Sequence, residues 1–141
     1  MANKWIKIGS GLVIGISGLG ILSVSAQAML DPQSVMDLVQ VELENNDAYS
    51  SIRGVFGGVG FTLLAVFSWL VRKDRTAALG FIALFWGMYA ISRMITIASE
   101  GALGDFGSQW LVIESTLCVL ALGMFAAERS KVRNQRFAMV H

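Results

Sequence analysis

Ser51-Ile52-Arg53-Gly54-Val55-Phe56-Gly57-Gly58-Val59-Gly60 is the stretch that decides how this chain folds. It puts an arginine at the mouth of an apolar run that continues to Val71, and glycines follow at 54, 57, 58 and 60. A charged side chain is expensive in hydrocarbon, and glycine lets a second helix come close. A bilayer core of about 30 Å needs roughly 20 helical residues, and the run over 49–71 is long enough to cross it.

Three more apolar runs surround this one, at about 5–28, 76–98 and 109–127. The expected fold is therefore an all-α membrane protein: four transmembrane helices in an antiparallel bundle, forming a single domain over 1–141. Composition agrees. Of the 141 residues 55% are hydrophobic, and the mean hydropathy is +0.61. A soluble domain usually holds about 45–50% apolar residues. One cysteine, Cys118, excludes an internal disulfide and a paired-cysteine zinc site. The one histidine, His141, is the last residue and reads as a frayed terminus, not a ligand. No metal or cofactor is expected.

In the first run, Gly11 and Gly15 form Gly-x-x-x-Gly and Gly18 continues the face, which predicts a smooth helix-packing strip. No strand precedes these glycines and no Lys-Ser/Thr follows, so they are not a phosphate loop. Lys4, Lys7 and Ala26-Gln27-Ala28 also fit a cleavable signal peptide. The apolar part exceeds the usual ~7–15 residues, which favours a retained helix. The segment 31–50 is acidic and lacks Lys and Arg. Asp31-Pro32 suits a helix start, and Val35, Leu38 and Val39 recur at helical spacing, so a short amphipathic helix on the membrane surface is expected in this outer loop. Asn45-Asn46-Asp47 is expected to break it. In the second run Gly54 and Gly58 flank a face bearing Arg53, Gly57 and Gly60. The third carries a small stripe with Gly80 and Gly87, and a second face with Trp86, Tyr89, Arg93 and Glu100. A loop is expected over 99–108.

Nine of the eleven Lys and Arg lie near the N-terminus, in the Arg72-Lys73-Asp74-Arg75 turn or in the tail from Arg129. The positive-inside rule then puts both termini and that turn in the cytoplasm. Arg53, Arg93 and Glu114 are the ionisable residues within spans. Counted at 1.5 Å per residue from the basic boundary, the two arginines lie ~27 Å up and Glu114 ~22 Å. Helical side chains lean toward their own N-terminus, so Arg93 and Glu114 converge and a direct pair is expected. Arg53 leans outward, toward the acidic loop or an anionic ligand.

Arg53-Gly54-Val55-Phe56-Gly57-Gly58 resembles the Arg-x-x-Tyr-Gly-Gly pattern of a bacterial family of small four-helix membrane proteins, the domain-of-unknown-function family 4345. Arg93, Glu100-Gly101 and Glu114 resemble its later Arg, Asp-Gly and Glu. Here Phe56 and Glu100 replace a tyrosine and an aspartate. The resemblance implies a four-span bundle that needs the first run, and no activity.

The expected function is a non-catalytic accessory or scaffold subunit, packed against membrane lipid, a larger membrane protein or a second copy. The alternative is a binder of an anionic lipid or isoprenoid-like ligand, or a small enzyme acting on one, through a cluster of Arg53, Arg93, Glu114, Trp86, Tyr89 and Glu100. A small proton-coupled exporter is the third class, opposed by two arginines near the one membrane glutamate. Glu114 is the only acid–base candidate within a span, and a salt bridge makes it a poor base. Nucleic acid is not an expected partner.

Overall fold

A computed structural model describes residues 2–138 of the chain; His141 lies outside them. The order is α1 (Ala2–Leu30), α2 (Pro32–Asp37), α3 (Asn46–Ile52), a π-helical segment (Arg53–Gly58), α4 (Val59–Lys73), α5 (Arg75–Glu100) and α6 (Asp105–Ala138). The segments α3, π and α4 run on as one long helix. This helix, α1, α5 and α6 are each long and apolar enough to cross a membrane. Large apolar side chains face outward on them: Leu19 is 68% exposed, Leu84 65% and Val119 67%. In water such a surface would drive aggregation. In lipid it is the expected exterior, because helices satisfy their own backbone polar groups.

Short connections make neighbouring long helices antiparallel. Asp74 alone joins α4 to α5: its carboxylate accepts from the N–H of Thr76 and Ala77, at 2.8 and 3.0 Å, which caps α5. The expected loop over 99–108 shrinks to four residues because α5 continues to Glu100 and α6 starts at Asp105. Gly101, at φ 104 and ψ −162, makes this turn in a region almost closed to other residues.

The core gathers Val13 and Ile21 of α1, Phe67 of α4, Leu79, Ile82 and Trp86 of α5, and Leu117 and Ala121 of α6. The glycine strip expected on α1 needs correction. A Cβ on Gly15 would meet nothing within 4 Å, and one on Gly11 would meet only the Arg75 guanidinium. The buried face of α1 is a serine stripe instead, with Ser10, Ser17 and Ser25 at 0–1% exposure, interleaved with Val13, Ile21 and Ala28. The hydroxyls of Ser10 and Ser25 donate to the carbonyls of Ile6 and Ile21 one turn back, so they enter the core without unpaired polar groups.

The glycines of the second long helix divide similarly. A Cβ on Gly60 would collide with the Ser25 hydroxyl, and one on Gly57 would come within 3.4 Å of the Met29 backbone. These two carry the approach to α1. Gly54 has open space beside it, and Gly58 has only the Arg53 carbonyl at 4.0 Å; neither is a packing position. On α5, Gly80 sits against Phe125 and Gly87 against the Cys118 sulfur, with 3.3 Å available to a Cβ at each.

The short helix expected in the first connection is present as α2. Helix α2 is six residues long. Its Val35 and Met36 are buried with Ala28, against Ile52 and Phe56, so it folds back onto the bundle. Leu38 and Val39 follow the helix and stay half-exposed. Gln40 takes a positive φ of 58, and the Val41 N–H returns to the Met36 carbonyl at 3.1 Å, a left-handed helix stop. The Gln33 side chain ties the return strand to α2 through Val41 O and Leu43 N, at 3.0 and 2.9 Å. Asn45 begins the next helix: its side chain accepts from Ala48 N at 2.9 Å.

Candidate functional site

Arg93 on α5 and Glu114 on α6 meet in two parallel hydrogen bonds, Nε to Oε2 at 2.7 Å and Nη2 to Oε1 at 2.8 Å. This fork is the strongest geometry open to an arginine and a carboxylate. Glu114 is 1% exposed, and the Arg93 side chain is 20% exposed. The two helices run opposite ways, so their side-chain leans converge. The pair neutralises both charges and fixes α5 against α6 in rotation and register.

One turn before Arg93, Tyr89 packs on Phe85, with ring centroids 5.1 Å apart. Trp86 meets Phe85 edge-on at 5.0 Å, and its indole N–H donates to the Ser17 hydroxyl at 2.9 Å. That bond explains how a tryptophan and a serine are both buried: each satisfies the other. From α6, Phe106 and Trp110 add a second aromatic pair, 6.0 Å apart.

These groups border a partly open cavity of about 490 Å³ lined from α1, α2, the π segment, α4, α5 and α6. The volume falls within the usual range for small-molecule sites. Trp86, Tyr89, Arg93 and Glu114 all line it, as do Leu38 and Val39 after α2 and Val55 and Phe56 of the π segment. A π-helical turn is wider than an α-helical one and recurs at functional sites. Here the three glycines between Arg53 and Gly58 ease side-chain crowding in the wide turn.

The cluster expected from sequence is therefore split. Arg53 does not line the cavity. Its Nε–H donates to the Met29 carbonyl at 3.2 Å, in the last turn of α1, where carbonyls lack helical partners and a cation is favoured. Its outward lean brings it to a helix terminus. Glu100, the last residue of α5, is exposed and also lies off the cavity.

A second polar cluster, missed from sequence, sits at the opposite end of the bundle. Glu128 is 7% exposed and lies 3.1 Å from the Ser10 hydroxyl, whose one proton it shares with the Ile6 carbonyl. Arg75 and Lys131 each approach it to 3.9 Å. Arg75 also donates to the Lys7 carbonyl at 2.6 Å, which joins α1, α5 and α6. In sequence, Glu128 is hidden beside the basic tail. Its spacing of seven from Ala121, and of fourteen from Glu114, on one face of α6 was the available signal. Among the described residues no group of three or more His, Cys, Asp or Glu side chains could hold a metal ion.

Searches of the curated proteins and of the solved structures found no match. The model of the family described as "Domain of unknown function (DUF4345)" matches residues 10–125, a range that reaches into all four long helices and takes in the π segment and the Arg93–Glu114 pair, and the chain belongs to that family.

Proposed function

We propose that this protein holds a membrane-soluble amphiphile, lipid or isoprenoid-like, in the cavity between its helices. The observation that carries this reading is the aromatic-lined chamber of about 490 Å³ with the Arg93–Glu114 pair in its wall. Apolar walls with a few convergent polar groups are the ordinary make-up of a small-molecule site. Glu114 is held in both oxygens by Arg93, which leaves it poorly suited to proton exchange or base catalysis and favours binding over transport or chemistry. On the same reading the cavity end faces outward and both termini are cytoplasmic in a bacterial inner membrane; the nine flanking Lys and Arg support this.

The accessory-subunit reading keeps one observation of its own. Gly80, Ala83 and Gly87 line a shallow apolar groove with Leu122 and Phe125, between α5 and α6. Small residues of this kind admit a neighbouring transmembrane helix.

The test is mass spectrometry of lipids retained by the protein in native-membrane nanodiscs, wild type against Val24→Phe. Val24 lines the cavity, and the added ring occupies its space. A specific lipid-soluble species held by the wild type and lost from the variant is expected. Identical retained lipids in both would refute the chamber.

A further inference from the structure

Resting on the reading of the cavity as a ligand chamber, we infer that the bound molecule carries an uncharged, carbonyl-bearing ring of the quinone type, not a phosphate or carboxylate head. Three observations converge on this class.

The first is charge. Arg93 is the only cation and Glu114 the only anion among the residues lining the cavity, and each is matched by the other at 2.7–2.8 Å. The chamber is net neutral. An anionic head would leave water for an apolar site with no unmatched cation to meet it, which is strongly unfavourable. Arg53, the second arginine that would have made an anion site, is engaged with the end of α1.

The second is the balance of donors and acceptors. Arginine has five N–H donors; Arg93 gives one from Nε and one from Nη2 to Glu114, leaving three. Among the described residues the Tyr89 hydroxyl and the Trp110 indole N–H make no hydrogen bond. Of the neighbouring polar groups, Trp86 is engaged with Ser17, the Ser25 hydroxyl with Ile21 O and the Ser92 hydroxyl with Tyr89 O, while the exposed Gln27 amide at the rim offers both donors and an acceptor. Each Glu114 oxygen accepts one bond from Arg93. Beside the pair, unused N–H and O–H donors of Arg93, Tyr89 and Trp110 gather at one end of the cavity, which suits ring carbonyls as acceptors. Such carbonyls accept without carrying charge.

The third is shape. Phe85, Trp86 and Tyr89 from α5 and Phe106 and Trp110 from α6 present two groups of ring faces and edges, with centroids 5.0–6.3 Å apart within each group. The outer faces and edges of these packed rings give a flat ring surfaces to stack on or meet edge-on. The remaining wall, including Ile21, Val59 and Leu63, is aliphatic and matches a short length of prenyl tail.

The experiment measures binding of tritiated decylubiquinone to the full chain in nanodiscs, with empty discs subtracted, in competition with unlabelled decylubiquinone or dodecyl phosphate. Saturable binding that dodecyl phosphate fails to displace is expected. Tyr89→Phe removes one donor and almost no volume, and Trp110→Phe removes one donor together with part of the ring face; each should weaken binding about 2- to 10-fold. Val24→Phe should abolish it. Glu114→Gln leaves the Arg93 charge unmatched, so dodecyl phosphate should gain at least about tenfold as a competitor; if that variant does not fold, the Tyr89 and Trp110 variants carry the test. Displacement by dodecyl phosphate at the same concentration as the quinone in the wild type would overturn the head-group class and leave the chamber standing. Quinone binding unchanged by the Tyr89, Trp110 and Val24 variants would overturn the inference as well. If neither probe binds and Val24→Phe leaves the retained lipids unchanged, inference and chamber fall together.

Discussion

Removing either member of the Arg93–Glu114 pair should destabilise the bundle far more than removing both. The two hydrogen bonds are 2.7 and 2.8 Å long, and Glu114 is sealed at 1% exposure. A buried pair that loses one partner forfeits about 3–5 kcal/mol, because the survivor is stranded away from water. The two single losses should be unequal. Arg93→Met strands a carboxylate with almost no exposure and belongs near about 5 kcal/mol. Glu114→Gln strands a guanidinium whose side chain is 20% exposed; its long stem can carry the charge toward the interface, so this loss belongs near about 3 kcal/mol. The double variant has no stranded charge and can be close to neutral. Its loss should fall below the sum of the singles by at least about 2 kcal/mol. Equilibrium unfolding in mixed micelles, run as a double-mutant cycle on all four proteins, measures this. Additivity within about 0.5 kcal/mol would show that the two residues do not interact and would refute the reasoning.

Gly60→Ala should destabilise the same unfolding transition by about 1–3 kcal/mol, since its Cβ has no room beside Ser25, whereas Gly15→Ala should be neutral or stabilising by up to about 1 kcal/mol; equal effects would contradict the packing of α1. Gly101→Ala, at φ 104, should lower the thermal midpoint through about 1–3 kcal/mol of backbone strain; an unchanged midpoint would count against that turn. Arg53→Ala should leave the retained lipids as in the wild type and speed amide hydrogen exchange in the last turn of α1, because its contact is the Met29 carbonyl; altered lipid with unaltered exchange would reverse that assignment. In a Cys118→Ser background, a cysteine at Asn46 should react with a membrane-impermeant maleimide from the periplasm and one at Asn134 should not; the opposite pattern would invert the topology.

The class of fold was legible in the pattern of apolar runs alone. Four runs of about 20 apolar residues have one economical solution in a bilayer, since each helix satisfies its own backbone and short polar turns reverse the chain. The sequence also predicted the Arg93–Glu114 pair, because depth along a membrane helix is a matter of counting and lean direction is fixed by the helix itself. The tertiary structure decided which face of each helix meets which neighbour. Gly15 and Ser17 are two residues apart, yet Gly15 has open space beside it and Ser17 bonds the Trp86 indole. Small residues permit close approach on any face, and only the mutual rotation of the helices chooses among them. Arg53 shows the same limit: its depth was countable, but its partner is a carbonyl contributed by a different helix end. The cavity was the least legible feature. It is a space left over where α1, α2, the π segment and the three remaining helix walls fail to close on one another, and no single segment encodes such a volume.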